Sequence, residues 1–197
     1  IEDPYTVVNE GRWTIDYLRR QTADISNDLN GDGKMDENDF WGISTFQINA
    51  MDNYMQSTRV SLMSRDAEGV PVLDVDMERM TTLLEKVYGL CFENPGCRVG
   101  PGDQPGAAHT IFKEDRALYT TLTMGHVRTA LAEMESDFGI LPYPKLNEEQ
   151  PVYGTRVQDA LTLFSVPIDC RNVELSGAVM EAVAAENYRK VTPTVYD

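Results

Sequence analysis

The stretch DLNGDGKMDEND, Asp28 to Asp39, constrains this chain more than any other. Counted from Asp28, oxygen-bearing side chains fall at positions 1, 3, 5, 9 and 12, as Asp28, Asn30, Asp32, Asp36 and Asp39, with Gly33 at position 6. Lys34, at position 7, offers its backbone carbonyl. Calcium is a hard cation that takes about six to eight oxygens, and this alternation turns every second residue inward while glycine permits the sharp bend. The spacing predicts a calcium site built from Asp28, Asn30, Asp32, Lys34, Asp36 and Asp39. It departs from a helix–loop–helix calcium hand in two ways: Asp39 replaces the closing glutamate, and Trp41 to Gln47 (WGISTFQ) alternates as a strand does. A single loop without a partner hand reads as a structural clip rather than a sensor. An ion bound only by the native state stabilises it by mass action, which suits a calcium-rich exterior.

Around the loop the pattern alternates between helix and strand. Thr14 is placed to cap a helix with Ile15, Leu18, Thr22 and Ile25 on one side. After Trp41 to Gln47 come a short helix over Asn49 to Gln56, a strand near Arg59 to Met63, a turn at Ala67-Glu68-Gly69 and a strand over Val70 to Leu73. Asp74 or Asp76 caps a long helix, Met77 to Tyr88. Residues 94 to 106, rich in glycine and proline, are expected to be loop. Helices are predicted over Lys113 to Thr121 and His126 to Glu135, then strands over Phe138 to Leu141 and Leu161 to Val166. The last helix, Val173 to Tyr188, has Leu175, Val179, Ala182, Val183 and Ala185 available for a core. Residues 1 to 12 are polar and turn-like. This order predicts an α/β fold, with helices packed around a small mixed sheet.

Composition excludes several partners. Lys and Arg total 17 against 32 Asp and Glu, a formal charge of -15, and no basic run interleaves with aromatics, so neither nucleic acid nor an anionic membrane surface is expected as a partner. No apolar stretch approaches the roughly 20 residues of a membrane span, so no membrane insertion of this piece is expected. The chain opens at Ile1 with no apolar leader and reads as part of a longer protein. Cys91 and Cys97 flank Asn94-Pro95-Gly96 and are either a short bridge or idle thiols, while Cys170 is left over. His109 and His126 are far apart in sequence and lack zinc-site spacing.

Longer segments carry a family likeness. GRWTIDYLRRQTADISNDLNGDGKMDENDFWGIST resembles the part of family 1 extracellular solute-binding proteins where a tryptophan-bearing helix leads into an acidic loop and a strand. FKEDRALYTTLTMGHVRTALAEMESDFGILPYPKLNEEQPVYGT and the terminal ENYRKVTPTVYD resemble later segments of the same family, so the likeness covers nearly the whole chain. The calcium loop alone is also similar to those of dockerins and of many extracellular proteins. The family resemblance implies one lobe, spanning 1–197, of a bilobal periplasmic-binding-protein-like (type II) fold, mainly the second lobe of a longer protein. It further implies a non-catalytic role: capture of a sugar or oligosaccharide outside the cytoplasm for an ABC permease, by a lipoprotein anchored at the cell surface. Gly154-Thr155-Arg156 stands where relatives often carry small and aromatic residues, which leaves the ligand preference open.

Ligand groups in such folds come from loops at strand ends. The candidates are Asn49, Asp52 and Asn53 after the first strand, Thr123 and Met124 after the RALY segment, and Tyr153, Gln158 and Asp159 before the apolar run. Trp13 and Trp41 are read as core. Carboxylate pairs such as Glu133 and Asp137 are read as solvated surface, and no nucleophile–base order or phosphate loop is present, so no catalytic residue is expected. The alternative, a calcium-stabilised adhesion or scaffold module of a polysaccharide-degrading system, would be favoured by a second calcium loop.

Overall fold

The computed structural model describes residues 2–100, 105–157 and 163–196, omitting the side chains of 47–50, 105–107, 195 and 196. It is an α/β structure whose central sheet is mixed. The chain falls into two compact units, Ile1–Arg156 and Val157–Asp197.

The first unit begins with a short helix, α1 (Pro4–Asn9), where sequence reading expected only turns. Asp3 caps it, its carboxylate accepting from the Thr6 amide at 3.1 Å. Helix α2 (Ile15–Thr22) starts where Thr14 predicts, with the Thr14 hydroxyl accepting from the Tyr17 amide at 3.2 Å. It buries Ile15, Tyr17, Leu18 and Thr22. The acidic loop is held at its base by β1 (Ser26–Asn27), which pairs antiparallel with the start of β2 (Phe40–Phe46). Helix α3 (Gln47–Ser57), an exposed hairpin of β3 (Met63–Arg65) and β4 (Pro71–Leu73), and α4 (Met77–Cys91) follow. Asp76, rather than Asp74, caps α4, accepting from the Arg79 amide at 3.0 Å.

Residues 94 to 106 are not a continuous loop. Cys97–Gly100 forms β5, parallel to β2 with Ile43 opposite Cys97, and α5 (Pro105–Lys113) opens within the same stretch, 101–104 lying outside the described residues. The expected helix over Lys113 to Thr121 is also corrected. Helix α5 ends at Lys113, Asp115 takes a left-handed φ of 57°, and Ala117–Thr120 forms β6, parallel to β2 on its own register. A four-residue apolar run fits either period, and pairing of Ile43 with Tyr119 decided the matter. Helix α6 (Met124–Thr129) is shorter than the predicted His126 to Glu135. Phe138 to Leu141 is not a strand: the Ile140 amide donates to the Tyr5 hydroxyl at 3.1 Å, and the chain then meets the cap of α2 through a parallel bridge between Thr14 and Lys145.

The core of this unit gathers Trp13, Ile15 and Leu18 with Ile43, Tyr54, Leu83, Leu90 and Leu146, and a smaller cluster joins Trp41 to Ile111 and Ala117. Both tryptophans are buried, as expected. Their indole N–H groups are satisfied, Trp13 Nε1 donating to the Pro142 carbonyl at 2.9 Å and Trp41 Nε1 to that of Asp36 at 2.8 Å.

The second unit contains α7 (Val173–Glu186), a π-helical turn (Asn187–Val191) and α8 (Thr192–Tyr196). Asn172 caps α7, accepting from the Leu175 amide at 2.9 Å. Two expectations fail here. Of the apolar run Leu161 to Val166, residues 161 and 162 lie outside the described chain, and 163–166 form no strand, Leu163 and Phe164 being exposed. Leu175, Val179, Ala182, Val183 and Ala185 of α7 are likewise exposed rather than facing a core. The helix has apolar residues enough for a buried face, but no described side chain of this unit is buried to meet them.

Candidate functional site

The acidic loop is wound by its own side chains. Asp28 accepts from the amides of Gly31 at 2.6 Å and Gly33 at 2.8 Å; Asn30 Oδ1 accepts from Asp32, Asp32 from Lys34, and Asp36 from Asn38. Gly31 and Gly33 hold φ of 73° and 78°, a region that side chains disfavour. Asp39 is fully buried and closes the loop, one carboxylate oxygen accepting from the Leu29 amide at 2.9 Å and the other from the Asp36 amide at 2.8 Å. The Asp36 amide, helped by that of Leu29, holds the Asp39 carboxyl below the usual aspartate range against the opposing effect of burial. Arg116 donates to the Glu37 carbonyl and so ties the loop to the start of β6.

The donor set is all oxygen, the chemistry that calcium selects, and the backbone bends where the spacing requires. Among the described residues, however, no three His, Cys, Asp or Glu side chains converge as a metal cluster. The carboxylates serve the loop's own amides, and an ion would have to draw them inward.

A second constellation lies at the carboxyl ends of the parallel strands. Strands β2, β5 and β6 run in one direction, so the segments that leave them emerge at one edge of the sheet. Asn49, Asp52 and Asn53 lie on α3, directly after β2; Thr123 and Met124 cap and open α6, just after β6. The Asn53 amide donates to the Tyr143 hydroxyl at 3.0 Å, and Asp52 pairs with Arg156 at 3.6 Å. Thr45 and Thr121 share a hydrogen bond of 2.8 Å, and burial pushes the Tyr143 phenol up. Thr123 and Met124 are exposed. Tyr153 is engaged elsewhere, packed against the core and donating its hydroxyl to the Val8 carbonyl at 3.0 Å. Gln158 and Asp159 lie outside the described residues.

The chain's two histidines, distant in sequence, meet at this edge. Their ring centroids are 4.7 Å apart, and His109 also meets Phe46, the last residue of β2, edge-on at 5.9 Å. His126 Nδ1 shares a hydrogen bond of 2.9 Å with the hydroxyl of Thr123. His109 is buried, and its Nε2 has no hydrogen-bond partner among the described residues. Burial, then the neighbouring His126, lowers its pKa to about 4. Sequence reading missed this pair, together with Thr45, Thr121 and Tyr143. The signal lies in the parallel strands, whose ends fix what stands together, and the sequence pattern of β5 and β6 predicts loop and helix instead.

No family model, curated protein or solved structure matches the chain. Among the described residues no helix is long and apolar enough to cross a membrane.

Proposed function

We propose that this chain is a lobe of an extracytoplasmic, periplasmic-binding-protein-like solute receptor that captures a carbohydrate for an ABC permease, with a calcium ion clipping the 28–39 loop. The observation that carries the reading is the common edge of the parallel strands. The ends of β2 and β6 and the helices that follow β2 and β5 carry Thr45, Thr121, Asn53 and His109, Tyr143 joins them through its hydrogen bond with Asn53, and open α/β sheets bind ligands at the carboxyl ends of their strands. Amides, hydroxyls and aromatic faces are groups that hold sugar hydroxyls and rings. In the calcium clip, Asp28, Asn30, Asp32, Asp36 and Asp39 would supply side-chain oxygens and Lys34 its carbonyl. The bound ion would offset part of the loop's negative charge and stabilise the base from which β2 departs.

The test has two arms. Thermal unfolding in chelator is compared with unfolding in millimolar calcium, for the chain and for a double variant, Asp28→Ala with Asp32→Ala. A calcium concentration 100 times the dissociation constant stabilises by about 2.7 kcal/mol, so a rise in Tm present in the chain and lost in the variant is expected. No rise makes the loop a turn only. Isothermal titration with a panel of mono- and oligosaccharides forms the other arm, repeated with Asn53→Ala. Heat from at least one sugar, weakened by the variant, supports solute capture. Binding to an insoluble polysaccharide with no response to soluble sugars would favour the scaffold-module reading.

A further inference from the structure

Cys91 is the last residue of α4 and Cys97 the first of β5. Both are buried in the same core cluster, 8% and 9% exposed, and both are free thiols. The turn between them is held firmly. The Cys97 amide donates to the Asn94 carbonyl at 3.0 Å, and Asn94 Oδ1 accepts from the Gly96 amide at 3.0 Å. Asn94 Nδ2 reaches across to the Thr22 hydroxyl at 2.8 Å, pinning the turn to α2. The two thiols share one buried cluster and each shifts the other's pKa, so they stand as neighbours before any reaction.

Their surroundings differ. Cys91 lines a groove of about 440 Å³ along α4, walled by Met51, Leu84, Tyr88, Phe92 and Val99, whereas Cys97 does not line it. The groove gives a reagent a route to Cys91. The directions of the shifts match: the neighbouring Cys97 lowers the pKa of Cys91, and Cys91, with burial, raises that of Cys97. The thiolate is the attacking species in exchange. Cys170 belongs to the second unit and makes a 3.2 Å contact with the Ser176 hydroxyl.

We propose that Cys91 and Cys97 are a redox-closed clip, in which Cys91 exchanges with a low-molecular-weight disulfide entering the α4 groove and Cys97 then closes an intramolecular disulfide. In the first step the Cys91 thiolate attacks one sulfur of the incoming disulfide, forming a mixed disulfide and expelling one thiolate. In the second, Cys97 loses its proton and attacks Cys91 Sγ, expelling the second thiolate. The protein loses two electrons and two protons, and the external disulfide becomes two thiols. The closed bond staples the end of α4 to β5, a hydrogen-bonded neighbour of the central strand β2, and does so independently of any solute.

The experiment uses the folded chain with oxidised glutathione. After incubation, free thiols are alkylated under denaturing conditions, and the tryptic peptide Val87–Arg98, which holds both cysteines, is weighed without reduction. The expected product has lost two hydrogens and resists alkylation, and dithiothreitol restores both sites. The oxidised chain should melt at a higher temperature than the reduced one. Cys97→Ser, lacking the resolving thiol, should accumulate a glutathione adduct at Cys91, while Cys91→Ser should react about tenfold more slowly or worse. A peptide alkylated at both positions after treatment would overturn the clip whether or not the variants fold. Equal adduct formation in the two variants would overturn the assignment of Cys91 as the attacking thiol.

Discussion

At the scale of single residues, the bend of the acidic loop was legible because its pattern is contiguous: Gly33 takes the left-handed φ of 78° that its place in the loop calls for, while the loop's carboxylates bond its own amides. His109 shows the opposite case. Nothing about an isolated histidine in sequence distinguishes it from a surface residue, and only the packing of α5 against the sheet places it against Phe46 and His126. That burial makes a pH prediction. In the unfolded chain His109 takes up a proton near about pH 6.5, but in the folded chain only near about 4. Between those values the unfolded state binds more protons, so its contribution lowers stability as pH falls. The groups facing it are Phe46, which does not titrate, and His126, whose charge would oppose protonation further. The urea midpoint is therefore expected to drop between pH 7.5 and 5, and His109→Phe should flatten that drop. An unchanged pH slope in the variant would show that His109 is not the group responsible.

At the scale of elements, capping signals were the most readable. Thr14 and Asp76 begin α2 and α4 as their side chains require, since each satisfies an amide that the first helical turn leaves open. Two of the misread elements share one cause. Strands β5 and β6 are four residues each, too short for period to separate strand from helix, and both are defined by pairing with β2 rather than by their own sequence. Gly96 belongs to this level. A Cβ there would sit 1.7 Å from the Thr22 carbonyl oxygen, so the turn into β5 can approach the end of α2 only with glycine at this position. Gly96→Ala is expected to cost about 2–3 kcal/mol through forced backbone displacement. The measurement is a urea titration at neutral pH; a loss below the error of the midpoint would mean that the turn moves away from α2 without penalty.

At the scale of the molecule, the α/β class could be read because helix and strand signals alternate, whereas the division into units could not. Hydrophobic pattern reports what a segment is able to bury, not whether anything covers it. The two segments of the chain that look equally suited to a core, α4 and α7, show the difference: α4 buries Leu83, Val87 and Leu90, while no residue of α7 is buried. Helix propensity alone stabilises so short a helix only marginally in water, and tertiary packing supplies the rest. Local opening free energies range from about zero in unpacked elements up to the global value in core ones. Native-state hydrogen exchange on the whole chain should therefore divide it sharply. Amides of β2, α2 and the second half of α4 are expected to exchange only through global unfolding, with opening energies that fall with urea alongside the main transition. Amides of α7 should open within about 1–2 kcal/mol and respond little to urea, because little surface is exposed when an unpacked helix frays. Protection in α7 equal to that around Ile43 and Leu90 would show that its apolar residues are covered in solution.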